Sequence, residues 1–416
     1  MREVFIVGIG MTKFGVHPDK STADLGREAV TSALSEAGVT PRDLDVAFYA
    51  NTAQGAIEGQ YGMKGQHALR PLGIEGIPFF NVENACTGSS SALNLAVSQV
   101  AGGFAEIGLA VGAEKLYTDD REKRLAAFAQ PDDVGQVSAF VEKYSDLVSD
   151  IQPPPSVVID EKIRSIFMDA YALNARLHMK KYGTTWAQIA AVSAKNHHHS
   201  TMNPLAQYQK DMSVEDILKA RVISWPLTLP MCAPVSDGGA AVVVCSKDQL
   251  HRFDPGKTVA VLASVLKGGT DRAIDDLEHS SCRRAANAAF KQAGLDRDDV
   301  SITEVHDASA YAEIAQVEMV GLCGFGEAGP LAEKGVFSLG GRMPVNVSGG
   351  LESKGHPVAA TGIAQIYELV QHLRGEAGDR QVDGAQYGVA SCSGGFFGVE
   401  DGATCVTILG KNANAN

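Results

Sequence analysis

The sequence has no excess of positive charge, no long apolar run and no paired cysteine spacing, and each absence excludes a class of function. Thirty-six basic residues stand against 49 acidic ones, for a net charge of −13. Nucleic-acid binders usually carry a basic stripe, so a polyanion is excluded as the main partner. An anionic small molecule could still occupy a locally positive pocket, because total charge says little about one site. No run approaches the ~20 apolar residues that a membrane-spanning helix needs, so no membrane partner is expected. The first residues lack a charged start followed by an apolar secretion segment. The seven cysteines are odd in number and scattered, which fits a reducing, cytoplasmic setting. The closing NANAN carries no peroxisomal or lipid-anchor signal.

What is present is enough chain for two domains: 416 residues, 45% hydrophobic and 20% charged. The 44 glycines cluster, as at Gly349–Gly350 and Gly394–Gly395, which suggests a site built from loops. The two halves also resemble each other. ALSEAGVTPRDLD from Ala33 matches AFKQAGLDRDDVS from Ala289, each reading as a helix end, a glycine stop and a polar turn. PFFNVENACTG around Cys86 parallels MPVNVSGGLES before His356, and IGLAVGAE from Ile107 parallels YGVASCSG from Tyr387. DGGAAVVVCSK from Asp237 parallels DGATCVTILGK from Asp401, each a turn followed by a buried strand.

A long, irregular repeat implies a duplicated domain, and strands alternating with helices imply α/β layers. The expected fold is an α-β-α-β-α sandwich. One half spans 1–117 and 228–253, the other 254–416. Residues 118–227 have no counterpart and read as an insertion folded over the active site, or as a purely structural flap.

Cys86 lies between the apolar IPFFNV and the small-residue TGSSSALNLAVSQVA, whose later part is helical. Its sulfur is therefore expected near a helix N-terminus, where free amides favour thiolate over thiol; the bland alternative is an inert buried cysteine. His356, held between glycines and Pro357, suits a general base for that thiol, or else caps a neighbouring helix. Cys392 follows the strand YGVA, in the loop that answers Glu114 of the first half. It could move a proton at an α-carbon, with the Gly394 amide offered to a thioester oxygen, or it could be a buried structural cysteine. His306 and Asp307 end another strand: His306 could hydrogen-bond an oxyanion, or the pair could cap the next helix. The run His197–His199 does not read as a metal site, because adjacent residues do not point to one centre. Cys232, Cys245, Cys282, Cys323 and Cys405 read as core fillers.

In these motifs the sequence resembles the thiolase superfamily, and within it the sterol-carrier-protein-2 type. VFIVGIGMTKFG, NACTGSSSA, NHHHSTMNPLAQYQ, SDGGAAVVV, HDAS and NVSGGLESKGHPVAATG occur in that subgroup's order along nearly the whole chain. The resemblance implies a duplicated five-layer fold, a homodimer, and ping-pong chemistry on coenzyme A thioesters with no bound metal or permanent cofactor. It further implies that Cys86 carries the acyl group and His356 activates it. Cys392 would move the α-proton, the amides of Cys86 and Gly394 would hold the acyl-enzyme oxygen, and His306 would serve the second oxyanion site. One departure stands out: the subgroup reads histidine, aspartate, cysteine, phenylalanine where this chain has His306, Asp307, Ala308 and Ser309. Conversely, ASCSGG resembles the cysteine–any–glycine motif of other thiolases. No appended lipid-carrier domain is expected after Lys411. Two further readings stay open: an aldol lyase acting on β-hydroxyacyl-CoA with a small OB-fold and zinc-ribbon partner, and a non-catalytic acyl-CoA-binding subunit.

Overall fold

The structure, a computed structural model, describes residues 2–128, 131–155, 157–159 and 165–412. Parts of the 118–227 segment and most of the terminal NANAN therefore lie outside the described residues.

Nine strands form one sheet: β1 (Val4–Met11), β2 (Val46–Ala50), β3 (Phe79–Val82), β4 (Ile107–Glu114), β5 (Gly238–Ser246), β6 (Val259–Gly268), β7 (Ile302–Glu304), β8 (Tyr387–Gly394) and β9 (Ala403–Lys411). Their spatial order is β3-β2-β4-β5-β1-β6-β9-β8-β7. In the first half β2 runs parallel to β3 and β4, and β4, β5 and β1 pair antiparallel. The second half repeats this, with β7 parallel to β8, and β8, β9 and β6 antiparallel. The counterpart of β3 shrinks to one parallel bridge, Thr303 to Val345. Antiparallel pairing of Val4–Ile6 with Val259–Val261 joins the halves.

The helices explain how the sheet is sorted into layers. Seven organise the molecule: α1 (Thr22–Ala37), α2 (Gly88–Ala101), α3 (Ile166–Tyr182), α4 (Trp186–Ser200), α5 (Ser281–Ala293), α6 (Ala310–Val320) and α7 (Thr361–Arg374). The repeated glycine stops are real stops: Gly38 ends α1 at φ 67° and Gly294 ends α5 at φ 68°, each followed by a 3-10 turn. Side chains alternate across a strand, so Val242 and Val244 of β5 face inward while Ala241 and Val243 face outward. The inward set packs on Leu93, Ala96 and Val100 of α2 and on Ile363, Leu369 and Leu373 of α7, which also meet Ala390 and Leu409 of the other half. On the outside, α1 covers the first half, and α5 and α6 cover the second. The result is the five-layer sandwich. Leu369, fully buried between layers, is one of its pins; truncation to alanine would cost ~2–5 kcal/mol.

This arrangement fixes where a site can form. Parallel strands deliver their following loops to one edge, so β3 leads to Cys86, β7 to His306, and β4 and β8 end at Glu114 and Gly394. The 115–237 connection between β4 and β5 occupies the place that residues 395–402 fill between β8 and β9. No helix among the described residues is long and apolar enough to cross a membrane.

Candidate active site

A 3-10 turn, Ala85–Thr87, carries the chain from β3 into α2. Ala85 adopts φ 46°, a left-handed conformation costing ~1–2 kcal/mol for a residue with a Cβ, and this raises Cys86 at the head of the helix. Strand β8 crosses against the turn. A Cβ on Gly394 would sit 2.5 Å from the Asn84 oxygen and the Thr87 nitrogen and 2.9 Å from the Cys86 nitrogen, so only glycine permits the approach. The Thr87 hydroxyl faces the carbonyls of Cys392 and Ala403, both at 3.1 Å, stitching the first half to the second.

His356 enters from the opposite half. Gly355 turns at φ 114°, and the His356 amide donates to Ser236 Oγ at 2.9 Å. Its Nδ1 lies 2.7 Å from Thr361 Oγ1. Thr361 has one hydroxyl proton, which it donates to the Pro357 carbonyl at 3.1 Å. It therefore accepts from His356, which places the ring proton on Nδ1 and leaves Nε2 as an acceptor. The His306 ring stands edge-on, 5.3 Å from that of His356. Cys86 Sγ and one nitrogen of each imidazole lie within 4.8 Å of one another. Cys392 sits just behind this wall, 1% exposed, its Sγ 3.2 Å from the Cys86 carbonyl and 3.7 Å from His306 Nδ1. Residues 86, 306, 356 and 392 are thus brought together.

Burial pushes His356 down to about 4 and, with His356 beside it, His306 well below the usual imidazole range. Burial, then the charges of Asp401 and Glu114, push the Cys86 thiol up to about 12. The expected resting thiolate is therefore corrected. A rise of about three in pKa is worth ~4 kcal/mol, more than the ~0.3–2 kcal/mol a helix terminus supplies. The resting pair is a thiol beside a neutral imidazole. Burial, then Cys86, also raises Cys392. Glu114, which burial pushes up to about 7, accepts from Asn51 Nδ2 at 2.8 Å, from the amides of Thr52 and Ala53 at 3.1 and 2.9 Å, and from Ala359 at 3.2 Å. It thereby ties the 51–53 loop to the turn that follows His356.

Cys86, His306 and His356 form one wall of a cavity of about 1460 Å³. Phe167, Tyr171 and Met212 from the 118–227 segment line it, as do Met319 of α6 and Phe396. Ala308, where the resembled subgroup has cysteine, also lines it. The three histidines of α4 diverge: His197 faces the Pro230 carbonyl, His198 faces Asp211, and His199 faces the Asn346 carbonyl and the Leu339 amide. Helix α6 is capped by Ser309. Asp307 instead accepts from the amides of Leu351 and Glu352. Among the described residues, two sets have spacing that could hold a metal ion: Cys86–His306–His356, and the buried Asp307–Glu313–Glu352. In the second, Asn196 Nδ2 lies within 3.1 Å of all three carboxylates and shares its two protons among them. All seven cysteines are free; Cys232 lines the cavity, Cys245, Cys282 and Cys405 are buried, and Cys323 is half-buried. Sequence reasoning missed Thr361 and Glu114, and took Asp401, which lines the cavity, for a turn residue.

The family model for the thiolase N-terminal domain matches residues 4–220, and that for a thiolase C-terminal domain-like region matches 267–411. An acetyl-CoA acetyltransferase from Methanothermobacter thermautotrophicus is 36% identical over 401 residues, covering 96% of this chain and 98% of that one. Sterol carrier protein 2 from Bos taurus is 36% identical over 397 residues, covering 92% of this chain and 68% of that one. Among solved structures, an Ltp2-ChsH2(DUF35) aldolase superposes with a TM-score of 0.76 at 23% identity, covering 100% of this chain and 99% of that one.

Proposed function

The chain belongs to the thiolase family and is an acyltransferase, and from that premise we propose that it catalyses reversible Claisen condensation or thiolysis of 3-ketoacyl-CoA through an acyl-Cys86 intermediate. The supporting observation is the meeting of Cys86, His306 and His356 within 4.8 Å at the wall of a large apolar cavity.

In the first half-reaction His356 Nε2 takes the Cys86 proton while sulfur attacks the thioester carbon. A thiol near 12 and an imidazole near 4 put the separated ion pair on the order of 10 kcal/mol uphill. That lies below the ~16 kcal/mol barrier of an enzyme turning over ~10 times per second. Transfer concerted with attack is therefore affordable without a resting thiolate. The tetrahedral oxyanion is held by the amides of Cys86 and Gly394, each such donor worth ~2.7–4 kcal/mol of barrier. The leaving CoA sulfur takes the proton back from His356. In the second half-reaction Cys392 removes the α-proton of the incoming acyl-CoA while His306 donates to its enolate oxygen; the carbanion attacks acyl-Cys86, the carbon–sulfur bond breaks, and the released Cys86 sulfur recovers the proton held by Cys392.

The same reading includes a cytoplasmic homodimer with coenzyme A as substrate and no resident cofactor. It keeps the domain division at 1–117 with 228–253, 118–227 and 254–416. The likeness to an aldolase paired with a DUF35 chain motivates a small OB-fold and zinc-ribbon subunit as a further partner. Intact-protein mass spectrometry after exposure to a panel of acyl-CoAs tests the proposal. An acyl mass gain that Cys86→Ala removes is expected; binding without mass gain would favour a non-catalytic subunit.

A further inference from the structure

The cavity is largely apolar, yet a carboxyl group lines it close to the nucleophile, and no step of acyl transfer uses that group. Asp401, at the end of the 395–402 loop, lines the cavity together with Tyr171 and Asn174 of α3. Its neighbours are otherwise engaged. Glu400 is saturated, accepting from the Thr270 amide and hydroxyl at 2.5 and 3.0 Å, from Arg272 Nε at 3.0 Å and from the Ser281 amide at 2.8 Å. The Arg272 guanidinium, besides Glu400, donates to the carbonyls of Ala273, Ile274 and Val399. Burial pushes the Asp401 carboxyl up to about 6 against the Ser393 hydroxyl bond, with Glu400 raising it and Arg272 lowering it, so it is an anion at neutral pH.

Asp401 also opposes the chemistry when the site is empty. Among charges it is the largest influence raising both the Cys86 thiol and the Tyr171 hydroxyl. A negative group that hinders a thiol from ionising slows acyl loading. That hindrance falls once a substrate group donates a hydrogen bond to the carboxyl. A cationic donor would be costly to desolvate among Phe167, Met212 and Met319, whereas a hydroxyl would not, and a substrate carboxylate would be repelled.

We propose that Asp401 and Tyr171 form a specificity pair selecting acyl thioesters whose bulky apolar acyl group carries a hydroxyl beyond the thioester, and rejecting those that end in a carboxylate. The inference rests on the acyl-Cys86 reading and names the substrate class of that same site.

The test uses the full chain and thioesters of one length: octanoyl-CoA, its hydroxyl isomers from C4 to C8, and octanedioyl-CoA. The readout is the rate of mass gain at Cys86. At least one hydroxyl isomer should load ten-fold faster than octanoyl-CoA, and the diacid ten-fold slower. Asp401→Asn should pull both ratios to within about three-fold of unity, and Tyr171→Phe should shrink the hydroxyl preference alone. Ratios within one variant cancel any general loss of folded protein. Equal loading of plain and hydroxylated chains by the parent, or unchanged ratios in Asp401→Asn, would overturn the pair while leaving the acyl-enzyme intact. No mass gain from any thioester would remove the acyl-enzyme reading and this inference with it.

Discussion

Replacing Thr361 by valine should slow acylation of Cys86 by ~5–150-fold without emptying the site, and the magnitude follows from one hydroxyl. Thr361 is 1% exposed and opens α7. Valine keeps the branched shape and removes the acceptor that holds the His356 Nδ1 proton at 2.7 Å. A buried N–H left unpaired costs ~1–3 kcal/mol. The ring escapes that cost by moving its proton to Nε2, which then presents a donor to Cys86 where an acceptor is required. The working tautomer is depleted by up to the same energy, hence the stated range. Rapid-quench intact-mass kinetics at saturating acyl-CoA would measure the rate, and nitrogen NMR of labelled histidine would report the tautomer. Thr361→Ser should restore both. Loading by the valine variant within two-fold of the parent, with Nδ1 still protonated, would refute the reasoning.

Cys392→Ala should still gain acyl mass at Cys86 but lose condensation; intact condensation would overturn the role given to that thiol. Gly394→Ala should cut acyl loading at least 100-fold, because the new Cβ meets backbone 2.5 Å away on the Cys86 turn; normal kinetics with an unchanged melting curve would argue against the close crossing. The pH profile of loading should not fall until near 4; between 7 and 5 it should hold or rise, because protonation of Glu114 near 7 and Asp401 near 6 lifts their charge from Cys86. Burial holds the folded His356 at about 4, against ~6.5 for an exposed imidazole, so its base form persists through that window. A loss of loading centred near 6.5 as pH falls would count against the burial argument. The same depression means the unfolded chain binds more protons between 6.5 and 4, so the contribution of His356 to stability is lost as pH falls through that range.

Local signals carried much of the fold. Gly38 and Gly294 mark helix stops because a left-handed turn is legible in one residue, and the paired apolar runs that became β4 with β8 and β5 with β9 are legible as alternation of small and branched side chains. The four candidate side chains also stood out, Cys86 and His306 just after strands, Cys392 near the end of β8, and His356 in a glycine-rich stretch. Long-range placement was not legible. Thr361 is meaningful only because Pro357 claims its proton, and Glu114 only because it meets an amide 245 positions away. The charge state of Cys86 was misjudged for the same reason: a sequence displays the helix that follows, and hides how much protein surrounds the sulfur. Asp401 looked like a turn residue because its cavity is assembled from α3, α6 and the 395–402 loop.

The pairing of β1 with β6 has a consequence for how large substrates arrive. Many two-lobed enzymes admit their ligands by swinging the lobes apart, but here a shared ladder of amide hydrogen bonds crosses the seam, and opening it would tear the sheet. The reacting groups contributed by opposite halves therefore keep their spacing throughout turnover. Admission of a bulky chain falls to the segments draped outside the sheet, so changes in breadth of substrate use should accumulate there, while the seam itself tolerates little alteration.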